Sequence, residues 1–166
     1  MNKSFSTAIS FLEKAVTNPS KGLPEEVFFY VSRITPLVNV DLLLKDQENR
    51  TLLSWRSDQY CGQGWHVPGG IIRFKETLED RINKVAENEI GASIEFDPKP
   101  IALNQVIDGE LVTRGHFISI LYRCYLISSF EPKNAGLVEG DPGYLRWYSS
   151  CPDNLLKNQH FYREYI

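Results

Sequence analysis

Residues 60–70, Tyr60-Cys61-Gly62-Gln63-Gly64-Trp65-His66-Val67-Pro68-Gly69-Gly70, pack four glycines, one proline and two large aromatic side chains into eleven positions. Glycine and proline both oppose a helix interior, so this stretch reads as a tight turn or a binding loop. A helix follows. Thr77 and Asp80 stand at capping-box spacing, Leu78, Ile82, Val85, Ala86, Glu89 and Ile90 share one side, and Gly91 supplies the stop. Glu89 is the carboxylate on that apolar side, and a buried carboxylate is costly unless it is paired or holds a cation. If the Pro68-Gly69-Gly70 turn lies beside the helix, its carbonyls and Glu89 offer the oxygen ligands that Mg2+ takes alongside water and substrate phosphate. The alternative is an ion pair between Glu89 and Lys84 or an arginine.

On either side the chain alternates helical and strand-like patterns. Phe5, Ala8, Ile9, Leu12, Ala15 and Val16 recur at helical spacing behind Ser6 as cap, and residues 18–22 end that helix. Pro24 with Glu25 and Glu26 opens a second helix that ends near Arg33. Residues 37–44 read as a strand, 46–49 as a turn and 51–55 as the hairpin partner. Further strands are expected at 92–96, 101–107, 116–127 and 144–148, with a short helix at 152–157. This order points to an α/β layered domain with a mixed sheet. A chain of 166 residues is expected to form one domain over 1–166, with 1–22 as an amino-terminal helical extension.

Charge and cysteine usage exclude several functions. Eighteen Lys and Arg against twenty-one Asp and Glu give a net charge of −3, which provides no long-range attraction to nucleic acid or anionic lipid. Apolar runs such as Leu42-Leu43-Leu44 are far shorter than the ~20 residues that span a bilayer, so no membrane segment is expected. The amino terminus lacks the pattern of a secretory signal. Cys61, Cys124 and Cys151 are odd in number and far apart, which argues against disulfides or a thiolate zinc site and for a reducing, cytoplasmic location.

The spacing of Gly70, Glu76, Lys84, Glu89 and Gly91 resembles the Nudix box: glycine, five residues, glutamate, seven residues, then R-E-U-x-E-E-x-G-U. Lys84 replaces the arginine, Val85 and Asn88 replace two metal-binding glutamates, and Ala92 takes the last apolar position. In that combination the chain resembles the GDP-mannose mannosyl hydrolase branch of the Nudix hydrolase family, which has lost the same two glutamates. The similarity runs from about residue 23 to 150, through Thr35-Pro36-Leu37-Val38-Asn39-Val40-Asp41, Leu52-Leu53-Ser54-Trp55-Arg56 and Glu76-Thr77-Leu78-Glu79, with the box region at 70–92.

The resemblance implies a Nudix-type α/β/α sandwich and a Mg2+-dependent hydrolase of a GDP-mannose-like nucleoside diphosphate sugar, acting as a homodimer packed through the early helices. In the branch, water attacks the sugar carbon with inversion; one cation then suffices to neutralise the departing diphosphate, and a general base is needed opposite it. Carried onto this chain, the Gly69 carbonyl and Glu89 carboxylate would hold Mg2+, Arg56 and Asp41 would surround the diphosphate and nucleotide, and Lys84 would hold the box together. His116 would touch sugar or base, with an ordinary hydrogen bond as the alternative. Phe117, Tyr60, Trp65 and Tyr122 offer aromatic faces for a nucleobase, with core packing as the alternative. The chain departs from the branch at Ile71, where an arginine is usual and Arg73 is the nearby substitute. It also lacks the Gln-His pair of the loop before the last strand; there Asp141 would serve as metal ligand or base, with Glu139 as the other candidate. Two further readings remain open: a pyrophosphohydrolase completed by Glu87, Glu110 or Asp141, and a catalytically silent nucleotide-sugar-binding protein.

Overall fold

The computed structural model describes residues 3–166; Met1 and Asn2, at the start of the extension expected over 1–22, lie outside the described residues. In chain order the elements are α1 (Lys3–Ala15), α2 (Glu25–Ile34), β1 (Leu37–Leu44), β2 (Thr51–Asp58), β3 (Gly62–His66), β4 (Gly69–Ile71), α3 (Leu78–Val85), β5 (Ile94–Phe96), β6 (Ala102–Ile107), β7 (His116–Leu126) and β8 (Leu145–Tyr148), with a 3-10 helix at Lys157–Tyr162. This is the expected mixed α/β architecture.

The near-continuous apolar run of β1 suits a strand covered on both faces. It lies inside a mixed five-stranded sheet, antiparallel to β4 and parallel to β7, and β7 also pairs antiparallel with β5 and β6. Alternate residues of β1 enter two cores. Val40, Leu42 and Leu44 pack with Ile82, Val85, Ala86 and Ile90 of the α3 region, whereas Leu43 packs with Leu53, Trp65, Val67, Leu121, Leu155 and Tyr162.

The expected hairpin between residues 37–44 and 51–55 does not form. Both edges of β1 are taken by β4 and β7, and β2 instead sits at the centre of a three-stranded antiparallel sheet between β3 and β8. Only a single bridge, Lys45 to Thr51, joins the two strands beyond the turn that Asp46 caps through the N–H groups of Glu48 and Arg50 at 3.0 and 2.8 Å.

Part of the glycine-rich stretch is strand as well, because β3 pairs with β2 from Ser54–His66 to Asp58–Gly62. Gly64 is needed there: an added Cβ would stand 2.5 Å from the Asn154 carbonyl. That close approach also overturns the helix expected at 152–157. The Trp65 N–H donates to the Asn154 carbonyl at 3.0 Å and the Leu156 N–H to the Trp65 carbonyl at 2.9 Å, so this backbone extends β3 pairing and the helical turn is displaced to Lys157–Tyr162. Ser6 is likewise inside α1 and does not cap it.

Helix α3 starts as the spacing predicts, with Thr77 and Asp80 forming a reciprocal capping box. Leu78 nevertheless remains exposed, and Arg81 is buried in its place. A π-helical turn over Ala86–Ile90 continues the helix, and Gly91 ends it in the left-handed region at φ 74°. Ahead of the helix, Glu76 is held by Arg81 Nε and Nη2 at 2.8 and 2.6 Å, by Lys84 Nζ at 2.8 Å and by the Arg73 N–H at 2.9 Å. Burial alone would raise its carboxyl, yet Lys84, the Arg73 N–H and Arg81 pull it down to about 2. Among the described residues no helix is long and apolar enough to cross a membrane.

Removing the carboxylate charge would strand the buried Arg81 guanidinium. Glu76→Gln is expected to lower folding stability by about 3 to 5 kcal/mol at neutral pH, read by urea denaturation, with most of that deficit gone near pH 2 where the native carboxyl itself takes a proton.

Candidate active site

Gly69 is where the helix, the central strand and a surface cleft meet. Its N–H donates to Glu89 Oε2 at 3.3 Å. The ladder to β1 is bonded on either side of it, from the Leu42 N–H to the Pro68 carbonyl and from the Ile72 N–H to the Val38 carbonyl. Antiparallel bonding alternates, so Gly69 turns both its N–H and its C=O away from β1, the N–H toward Glu89. Asp41 lies over the face of Gly69, where any Cβ would collide with Asp41 Oδ1.

Asp41 is buried but well supplied with donors. Asn39 Nδ2 reaches both of its oxygens at 3.0 Å, and the Tyr162 hydroxyl donates to Oδ2 at 2.6 Å. Ser119 completes the network through Asn39 at 3.0 Å. Burial pushes the Asp41 carboxyl up to about 6, against the lowering effect of the bonds from Tyr162, Asn39 and Ser119. The Tyr162 hydroxyl is pushed far up by burial and by the neighbouring Asp41.

Glu89 has less support. Burial pushes its carboxyl up to about 7; the Gly69 N–H and Arg56 act downward, Asp41 upward. Lys84 and Arg81 are committed to Glu76, and among the described residues Glu89 has no ion-pair partner. Of the two box positions that lack glutamate, Val85 is packed in the core and Asn88 is exposed. The cleft beside Gly69 is lined by Asn39, Asp41, Arg56, His66, Arg114 and Phe117, among others. Arg56 and His66 project from the same face of the β2–β3 pair, in which Arg56 stands opposite Gly64 and His66 opposite Ser54. Burial and Arg56 push the His66 imidazole down to about 4, so it is neutral at pH 7. Its Nδ1 lies 2.9 Å from the Val67 carbonyl, an acceptor only, which places the proton on Nδ1 and leaves the Nε2 lone pair bare.

No three His, Cys, Asp or Glu side chains among the described residues form a metal cage. What stands beside Gly69 is a small, oxygen-only donor set: an uncompensated Glu89 carboxylate and an outward-turned carbonyl. That set fits Mg2+, which binds through one or two carboxylates and completes its shell with water and substrate phosphate.

The low-salt glycan biosynthesis protein Agl8 of Haloferax volcanii is 31% identical over 119 residues, 68% of this chain and 69% of that protein. This chain belongs to the Agl8 family. No protein-family profile matches it. Among solved structures, a MutT NUDIX hydrolase from Burkholderia pseudomallei superposes with a TM-score of 0.62 at 23% identity, covering 80% of this chain and 98% of that one. A NUDIX-family hydrolase from Clostridium perfringens gives 0.54 at 19%, covering 73% and 89%. The fold of this Agl8-family chain is that of the Nudix hydrolases.

Gly69, Asp41, Arg56 and Phe117 line one cleft, and Glu89, which does not itself line it, is joined to it through the Gly69 N–H; the other sequence candidates lie elsewhere. Asp141 accepts the Val138 N–H at 2.8 Å within its own loop, and Glu139 pairs with Arg146 at 2.8 Å on the surface; neither lines the cleft. Arg73 packs its guanidinium near Gly22, in a groove between α2 and β4. His116 sits at the start of β7, 3.0 Å from Gln105 Nε2, and Arg56 Nε bonds Asp58 Oδ2. Site residues that went unmarked in the sequence include His66, Arg114, Gln159, which bonds the Val67 N–H at 2.7 Å, Tyr162, and the Asn39 and Ser119 of the Asp41 network. Only the position of His66 inside the glycine-rich stretch could have flagged any of them.

Glu89 makes a specific pH signature. A carboxyl raised from 4.5 to about 7 in the folded state costs nothing below pH 4.5, and its cost grows as pH rises to about 7. Thermal melts of Glu89→Gln should therefore gain on the native chain with rising pH, by about 3 kcal/mol between pH 4.5 and 8. Added Mg2+ should stabilise the native chain at pH 8 and leave Glu89→Gln unmoved.

Proposed function

We propose that this chain is a Mg2+-dependent hydrolase of a nucleoside diphosphate sugar, of the GDP-mannose kind, releasing the sugar and a nucleoside diphosphate by water attack at the sugar carbon. The observation that carries the reading is the solitary, uncompensated Glu89 beside the outward-turned Gly69 backbone. Glu89 and the Gly69 carbonyl would hold Mg2+, and the cation supplies charge neutralisation for the departing diphosphate. Arg56 faces the same cleft and adds a second positive charge toward that group. Attack at carbon also needs a proton acceptor near the sugar. Asp41 and His66 are the cleft-lining groups able to take a proton, and Asp41, pushed up to about 6, is the better matched to neutral pH. The role of Agl8 in glycan biosynthesis supports a sugar-bearing substrate. We place the enzyme in the cytoplasm as a homodimer; the exposed Phe5, Ile9 and Phe11 of α1 support packing through the early helices.

A catalytically silent binding protein is the second reading, favoured by the loop-bound Asp141 and surface-paired Glu139. A pyrophosphohydrolase has less support, since Glu87 and Glu110 are exposed and outside the cleft.

Hydrolysis of a panel of nucleoside diphosphate sugars in 18O-labelled water, followed by 31P and 1H NMR, separates the three. Label in the sugar alone, abolished by Glu89→Gln, is the expected result. Label in a phosphate would establish the pyrophosphohydrolase, and binding without turnover the silent protein.

A further inference from the structure

The loop between β6 and β7 holds one residue at a cost that its own packing does not explain. Arg114 adopts φ 59°, the left-handed region that a long side chain rarely occupies. The loop is built to keep it there. The Asp108 N–H donates to the Gly115 carbonyl at 2.7 Å, and a Cβ on Gly115 would stand 2.6 Å from the Asp108 carbonyl and 2.7 Å from that of Leu111. From α2, Ser32 Oγ accepts the Arg114 N–H at 3.2 Å.

The side chain reaches the rings of Phe28 and Tyr60, with Cζ 5.7 and 5.2 Å from their centroids. Its Nε is buried with no hydrogen-bond partner, and among the described residues no carboxylate lies within ion-pair distance. A guanidinium fixed by aromatic faces, short of acceptors and unpaired in charge is a preorganised anion site. Its location gives the anion. Arg114 lines the cleft that contains Asp41, Arg56 and Gly69, and it also lines the adjoining groove formed with Tyr60, Leu111 and Lys157.

We propose that Arg114 is a substrate-binding residue for the diphosphate group, reaching from the five-stranded sheet toward the cleft that Arg56 enters from the three-stranded one. The groove beyond it then receives the nucleoside. This rests on the hydrolase reading for its ligand but can fail independently of it.

Titration calorimetry with inorganic diphosphate and Mg2+ is the test, on the native chain, on Arg114→Asn, which suits the left-handed backbone, and on Arg114→Lys. Binding to the native chain, weakened on the order of ten- to hundredfold in Arg114→Asn, is the expected result. Arg114→Lys keeps the charge without the planar fork and should be weakened severalfold; it carries the test if Arg114→Asn fails to fold. Native-like affinity in the folded Arg114 variants overturns the proposal while sugar turnover leaves the hydrolase reading intact. Absence of diphosphate binding by the native chain overturns this proposal, and absence of turnover alongside it overturns both.

Discussion

The backbone of Gly69 can approach the Asp41 carboxylate only because it carries no side chain, and the rest of the site is arranged around that contact. Strand β4 runs against β1 in a register that puts Asp41 opposite Gly69, and the ladder geometry turns the Gly69 amide and carbonyl outward. The π-helical turn at Ala86–Ile90 then brings Glu89 within 3.3 Å of that amide. One glycine thus lets a face-on carboxylate and an edge-on carboxylate share the same short length of backbone. Burial raises both carboxyls, and the nearby Asp41 adds to the rise at Glu89.

Glu76 and Glu89 flank the same helix and meet opposite fates. Glu76 collects Arg81, Lys84 and the Arg73 amide, and it fastens the turn after β4 to the start of α3. Neither cation forms an ion pair with Glu89, which Arg81 reaches only through space. The helix spends its positive charge on a structural carboxylate and leaves the second one facing β4 unneutralised, the condition under which a divalent cation binds with net gain.

Local signals in the sequence were read well where local physics decides the outcome. The Thr77–Asp80 cap and the stop at Gly91 both rest on contacts a few residues apart. Misreadings arose where distant backbone competes. β2 pairs with β3 and β8 because both edges of β1 are taken, and residues 152–157 are drawn into extended pairing by Trp65. Arg114 and Tyr162 were invisible for the same reason: Tyr162 lies 121 residues from Asp41 along the chain, and nothing near either one announces their bond.

The carboxy-terminal segment is therefore part of the site's construction. Gln159 holds the Val67 amide at 2.7 Å and Tyr162 holds Asp41 at 2.6 Å, so one short 3-10 helix clamps both the link that leads from β3 into Gly69 and the acid that lies over it. A hydroxyl with a strongly raised pKa stays a donor throughout the physiological range, which keeps Asp41 oriented whether or not that acid is ionised. The donors to Asp41 from Asn39 and Tyr162 lower its carboxyl, while burial raises it, and the balance near neutrality follows from the two opposing causes together. Losing the segment would remove the donor and admit water at once, and the carboxyl would move back toward its ordinary range. The chemistry available at Asp41 thus depends on Tyr162, a residue 121 positions away along the chain.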